Sequence, residues 1–164
     1  MIARMIKRVY LIEDEPMVLD FCMEYIKNYT DMEIVGTSSN GQAALKGSLE
    51  AKPDLVIVDI RLPEVNGLEI LSILKRKLPE CKVVIFTATV NPHTVRVALQ
   101  GGVDGFVEKG EGLDGLRKGI EAVKTDKRYF SPHIKRMMTP FEEDLSSRPP
   151  FKAAPVADPE TKKT

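Results

Sequence analysis

The sequence predicts an α/β fold, a doubly wound parallel sheet with helices on both faces. Three observations carry this reading. Short apolar runs recur between longer stretches of helical periodicity, the runs are continuous rather than alternating, and the order strand-then-helix repeats five times. A continuous β-branched run suits a parallel strand covered on both faces. Strand–helix alternation of this length implies right-handed crossovers.

The first run, Val9-Tyr10-Leu11-Ile12, is followed by Pro16, which fits a first helical turn. Val18, Phe21, Cys22, Tyr25, Ile26 and Tyr29 then follow the spacing of one helix face. Ile34-Val35 makes a second, weaker strand, and Asn40-Gly41 opens a helix. Leu55-Val56-Ile57-Val58 is the third strand, leading to a helix marked by Leu68, Leu71, Leu74 and Leu78. After the fourth, Val83-Val84-Ile85-Phe86, Asn91-Pro92 starts a helix that Gly101-Gly102 stops. Phe106-Val107 is the fifth, and Leu113, Leu116, Ile120 and Val123 pattern the helix behind it.

The chain has 164 residues, 24 basic against 24 acidic, and a 43% hydrophobic share, which is enough for one well-buried core. Zero net charge offers no broad electrostatic footprint for nucleic acid or anionic lipid. Two cysteines, Cys22 and Cys81, are too few for a disulfide framework, sit in apolar stretches and read as core in a reducing compartment. No apolar run approaches the roughly 18 residues of a membrane span, and the basic start meets Glu13-Asp14-Glu15 too soon for a secretory signal. A cytoplasmic location is expected. Composition changes after about Met138, where five of the eleven prolines crowd the last 26 residues. Residues 1–126 therefore read as one domain, 127–138 as a short following segment and 139–164 as a Pro-rich, disordered tail.

In a doubly wound sheet the ligand crevice lies outside the carboxyl ends of the strands. There the first strand delivers Glu13-Asp14-Glu15, the third Asp59, the fourth Thr87-Ala88 and the fifth Lys109. Singly, each has a bland explanation, such as a capped turn or a solvated loop. Together, at homologous places in four strand–helix units, chance explains them poorly. Clustered carboxylates repel and raise one another's pKa unless a cation neutralises them, and Mg²⁺ suits such oxygens. A hydroxyl from Thr87 and an ammonium from Lys109 would suit the remaining oxygens of a phosphoryl group.

These residues resemble the receiver domain of bacterial two-component response regulators over about Arg8 to Thr125. The matching pieces are Leu11-Ile12-Glu13-Asp14-Glu15-Pro16, Asp59-Ile60-Arg61-Leu62-Pro63 with Asn66-Gly67, Thr87-Ala88, and Gly105-Phe106-Val107-Glu108-Lys109. The resemblance implies a flavodoxin-like five-stranded sheet of order 2-1-3-4-5 with five helices. It implies that Asp59 accepts a phosphoryl group from the phosphohistidine of a sensor histidine kinase or phosphotransfer protein. Glu13, Asp14, Asp59 and the backbone carbonyl of Arg61 would hold Mg²⁺, Thr87 and Lys109 would bind phosphoryl oxygens, and Thr87 with Phe106 would form the switch. Glu13 stands where Asp is more frequent, and Gly110 follows Lys109 where many receivers have Pro.

The nearest subfamily is that of receivers usually followed by a helix-turn-helix, which Gly101–Phe106 and Arg128–Pro132 resemble. Only about 32 residues follow Pro132, too few for a compact DNA-reading unit. The expected output is thus contact with a downstream protein, or homodimerisation, on the face of the fourth helix, fifth strand and fifth helix, without direct nucleic-acid or membrane binding. Chemistry beyond the chain's own phosphorylation and dephosphorylation is not expected.

Rival readings are a phosphorylation-independent docking module and the N-terminal part of a DNA-binding transcriptional regulator. An aspartyl phosphohydrolase would commonly carry a second Asp where Arg61 stands. A nucleotide or flavin binder needs a Gly-, Ser- or Thr-rich loop where Glu13-Asp14-Glu15-Pro16 would repel phosphate. His93 and His133 have no zinc spacing and receive no catalytic role, and Met137-Met138 read as core filler or a loose terminal contact.

Overall fold

Residues of the third strand show how the sheet is buried. In β3 (Leu55–Val58) all four side chains are inaccessible, Leu55 and Ile57 facing one core and Val56 and Val58 the other. The two-residue period of a strand splits the run between two apolar layers, which is why it need not alternate with polar residues. The same division holds for β1 (Arg8–Ile12), with Val9 and Leu11 opposite Tyr10 and Ile12, and for β4 (Lys82–Thr87), with Val84 and Phe86 opposite Val83 and Ile85. Each such side chain contributes about 1.5–3 kcal/mol on burial.

The computed structural model describes residues 5–145, with side chains as far as Met138. Six parallel strands run in the order β2-β1-β3-β4-β5-β6, where β2 is Glu33–Ser38, β5 is Gly105–Glu108 and β6 is Tyr129–Phe130. On one face lie α2 (Gly41–Ala51), α3 (Gly67–Lys77), α4 (Pro92–Gln100) and α6 (Pro132–Leu145). The other face carries α1 (Pro16–Tyr29) and α5 (Gly112–Lys124), the latter entered through a 3-10 turn at Lys109–Glu111.

The expected five-strand order is present, and a sixth strand and sixth helix extend it. β6 is only two residues long, too short for any periodicity to announce it. It pairs Tyr129 with Gly105 and Phe130 with Phe106, while the Arg128 guanidinium bonds the Val103 carbonyl and lies 5.0 Å from the centre of the Phe130 ring. Behind it, Ile134 and Met138 of α6 are buried against the core that holds Phe106 and Val95, so Met138 is core filler as expected. The sequence boundary at 138/139 falls inside α6, whose backbone continues to Leu145. Residues 146–164 of the expected tail lie outside the described residues.

Helix punctuation follows the sequence closely. Asn40, Asn66 and Asn91 cap α2, α3 and α4 with side-chain oxygens that accept from Ala43, from Leu68 and Glu69, and from Thr94. Pro16 and Pro92 occupy first helical turns. Helical spacing overstated burial at the helix margins: Tyr29 is 74% and Leu113 42% exposed, whereas Cys22, Tyr25, Ile26, Leu116, Ile120 and Val123 form the seam.

Gly67 matters most for the site. Its N–H donates to the Ile60 carbonyl at 2.8 Å, and a Cβ there would fall 2.1 Å from the Asp59 carbonyl oxygen. Gly67→Ala is expected to cost about 2 kcal/mol in urea denaturation, because overpacking must push the β3–α3 connection aside. Gly102, at φ +80° with open space around its missing Cβ, should lose only about 1 kcal/mol as Ala, from backbone strain alone. A Gly67→Ala variant as stable as the parent would show that this approach is not tight.

Candidate functional site

Backbone pairing carries three acidic groups to one rim. Asp59 continues β3, its N–H donating to the Ile12 carbonyl at 3.0 Å, and Glu13 continues β1, its N–H donating to the Ser38 carbonyl at 3.0 Å. Asp14 follows on the exposed side. One carboxylate oxygen from each of Glu13, Asp14 and Asp59 can be chosen so that all lie within 4.8 Å of one another. Asp59 and Glu13 are only 4% and 5% exposed, so their charges are largely withdrawn from water.

Lys109 compensates them from the end of β5. Its Nζ donates to Asp59 Oδ2 at 2.9 Å, to Glu13 Oε1 at 2.9 Å and to Glu15 Oε1 at 3.2 Å. Burial alone would lower the lysine pKa. The hydrogen bonds and charges of Asp59 and Glu13 outweigh it and hold the ammonium above its ordinary range. Burial likewise pushes Glu13 up to about 7, with the Asp59 charge adding to the rise and the Lys109 hydrogen bond opposing it. The Cys22 thiol, beneath Glu13, is pushed up to about 12, chiefly by burial, which suits an inert core group.

The carboxylates open into a cleft of about 490 Å³ lined by Asp14, Glu15, Asp59, Arg61, Lys109 and residues 88–91. Asp59 Oδ1 is buried without a hydrogen-bond partner among the described residues. An orphaned carboxylate oxygen beside two further acids fits a hard divalent cation that retains some of its water, so the donor set suits Mg²⁺.

The switch residues sit on one face of neighbouring strands, Thr87 opposite Glu108 and Ile85 opposite Phe106. Thr87 is fully buried, and its hydroxyl accepts from the Thr89 N–H at 3.1 Å. Phe106 is fully buried, its ring in the core with Phe130 and Ile134. The structure thus brings Asp14, Asp59, Arg61 and Lys109 to the cleft, sets Glu13 beside Asp59 and Lys109 beneath it, and places Thr87 and Phe106 behind its wall. Sequence reasoning missed the Glu15 contact, because Glu15 precedes α1 and reads only as a helix lead-in.

The response regulator receiver domain family matches residues 9–121. The chain belongs to that family. Response regulator GacA of Pseudomonas viridiflava is 31% identical over 145 residues, covering 87% of this chain and 67% of the relative. GacA of Pseudomonas aeruginosa is 33% identical over 132 residues, 80% of this chain and 61% of the relative. Among solved structures, a two-component response regulator of the LuxR family from Aurantimonas sp. SI85-9A1 aligns with a TM-score of 0.75 at 25% identity, covering 84% of this chain and 97% of that one. This receiver therefore spans roughly two thirds of the length of these curated relatives. Among its described residues no helix is long and apolar enough to cross a membrane.

The raised Glu13 pKa has a definite sign for stability. Between about 4.5 and about 7 the folded receiver keeps a proton on Glu13 that the unfolded chain has lost, so the Glu13 contribution to stability is fully present below 4.5 and is lost as pH rises through 7. In EDTA, the parent should lose about 1–2 kcal/mol across that window relative to Glu13→Gln. Parallel pH profiles of the two proteins in chemical denaturation would contradict this assignment.

Proposed function

We propose that this receiver takes a phosphoryl group onto Asp59 from a sensor histidine kinase or phosphotransfer protein, with Mg²⁺ held by Glu13, Asp14, Asp59 and the Arg61 carbonyl. The observation that carries this is the pairing of Lys109 with Asp59 Oδ2 beside the unpartnered, buried Asp59 Oδ1. A carboxylate is a competent nucleophile for phosphorus. In transfer, an Asp59 oxygen forms the new P–O bond, the P–N bond of the phosphohistidine breaks, and its electron pair returns to the imidazole. Bound Mg²⁺ would supply charge neutralisation on the phosphoryl oxygens.

Lys109 already stands beside Asp59, where negative charge develops, and one of its three donors, now given to Glu13, Glu15 and Asp59, would pass to a phosphoryl oxygen. Thr87 lies one strand away and, by exchanging its bond with the Thr89 N–H for a phosphoryl oxygen, would move within a packed wall that includes Phe106. Product release to a second substrate is not part of this chemistry, so the chain acts as a switch and catalyses only its own modification and its reversal. Its output is contact with a downstream protein or a second copy, along the edge formed by α4, β5 and α5.

The test is intact-mass measurement after incubation with Mg²⁺ and acetyl phosphate, whose acetate replaces imidazole as leaving group. A gain of about 80 Da, one phosphoryl group, mapping to Asp59 is expected. No gain would favour a docking module that works without phosphorylation. Within the same site, Asp14→Asn should weaken Mg²⁺ binding about tenfold or more in titration calorimetry, whereas Glu15→Gln, whose carboxylate faces Lys109, should change it less than about threefold. Equal losses would refute this ordering.

A further inference from the structure

The end of β5 and the start of α6 are joined through one residue. Ser131 is fully buried, and its three polar groups all have partners. Its N–H donates to the Phe106 carbonyl at 3.0 Å, its hydroxyl accepts from the Glu108 N–H at 2.8 Å, and its carbonyl accepts from the Lys135 N–H at 2.9 Å in the first turn of α6. His133 Nδ1 lies 3.3 Å from Glu108 Oε1, a second tie between the same two elements. The residue after Glu108 is Lys109, whose Nζ spans Asp59 and Glu13.

We propose that Ser131 is a positioning residue for Lys109, and that docking of β6–α6 and occupancy of Asp59 are therefore coupled in both directions. The inference rests on Asp59 as phosphoacceptor, but its geometry stands independently. The 3-10 turn carrying Lys109 has no side-chain cap of its own. Its entry angle is set by the Glu108 amide, and Ser131 holds that amide. A lysine positioned within a few tenths of an ångström for phosphoryl oxygens depends on such support from behind.

Reciprocity follows from linkage: if docked α6 favours the geometry that phosphorylates, the phosphorylated state must alter α6 docking by the same factor. The charge at Asp59 rises from one to nearly two on phosphorylation, which strengthens the pull on Lys109. That pull reaches Glu108, then the Ser131 hydroxyl, and so the first turn of a helix packed on α4 and on Phe106. α6 is in this sense a reporter of the site, placed over the sheet edge where output is expected.

The test uses the full chain with acetyl phosphate and amide hydrogen exchange. Ser131→Ala should slow phosphorylation about fivefold or more. Met138→Ala, which loosens the far end of α6 without touching the Glu108 amide, should stay within about twofold of the parent. Without any phosphodonor, Lys109→Ala should speed exchange at residues 133–138 about fivefold relative to α2, which lies on the same face at the opposite edge of the sheet. An unslowed Ser131→Ala, or unchanged relative exchange in Lys109→Ala, would overturn the coupling, and equal slowing by Ser131→Ala and Met138→Ala would overturn the positioning role of Ser131. A parent that takes no adduct would instead defeat the phosphoacceptor assignment, and the exchange result in Lys109→Ala would then decide the coupling alone.

Discussion

Asp59→Asn is expected to abolish phosphorylation: with Mg²⁺ and acetyl phosphate its intact mass stays at the unmodified value, while the parent gains about 80 Da. The amide oxygen is neutral and far less nucleophilic than a carboxylate, and the amide cannot form a charged pair with Lys109. Of the three clustered acids, Asp59 and Glu13 both lie 2.9 Å from Lys109, but Asp59 alone presents a buried oxygen with no partner among the described residues. The fold should survive, because losing the Asp59 charge relieves Glu13 of one of the influences that raise its pKa. Thermal unfolding within about 3 °C of the parent is expected, since the lost ion pair and the relieved repulsion oppose each other. An adduct that persists in a folded Asp59→Asn chain and maps to Asp14 or Glu15 would assign the acceptor elsewhere.

That Asp59 stands out in the sequence reflects how parallel sheets are built. Strands buried on both faces write themselves as unbroken apolar runs, and the first polar residue after each run must sit at the carboxyl rim. Val9–Ile12 ending at Glu13 and Leu55–Val58 ending at Asp59 are cases of this rule, and their backbone bonds to Ser38 and Ile12 put the two carboxylates side by side.

What was not legible has physical reasons too. Tyr129 and Phe130 form a strand only because the β5 edge offers Asp104 and Phe106 carbonyls to them and to Ser131, a tertiary circumstance without a local signature. Glu15 reaches Lys109 across 94 positions of sequence. The exposed Tyr29 and Leu113 carry helical spacing at positions where no neighbouring element covers the helix, since periodicity reports a face but not what lies against it.

Lys109→Ala tests the electrostatic design of the site as a whole. It removes the ammonium that touches Glu13, Glu15 and Asp59, and leaves two carboxylates 4–5% exposed without their cation. Breaking a buried ion pair by deleting one partner costs about 3–5 kcal/mol, but Glu13 can escape part of that by holding its proton to higher pH. A loss of about 2 kcal/mol in EDTA at pH 8 is therefore expected, shrinking towards pH 5.5 as Glu13 becomes neutral in parent and variant alike. Mg²⁺ should restore much of it, because a divalent cation screens the same carboxylates, so the variant should gain more stability from millimolar Mg²⁺ than the parent does. Phosphorylation should not be restored with it. Labelling by acetyl phosphate should stay about 100-fold slower than in the parent, the scale of losing a preorganised donor to developing negative charge. A folded Lys109→Ala chain that labels within about threefold of the parent would show that its ammonium balances the resting carboxylates and takes no part in the transfer.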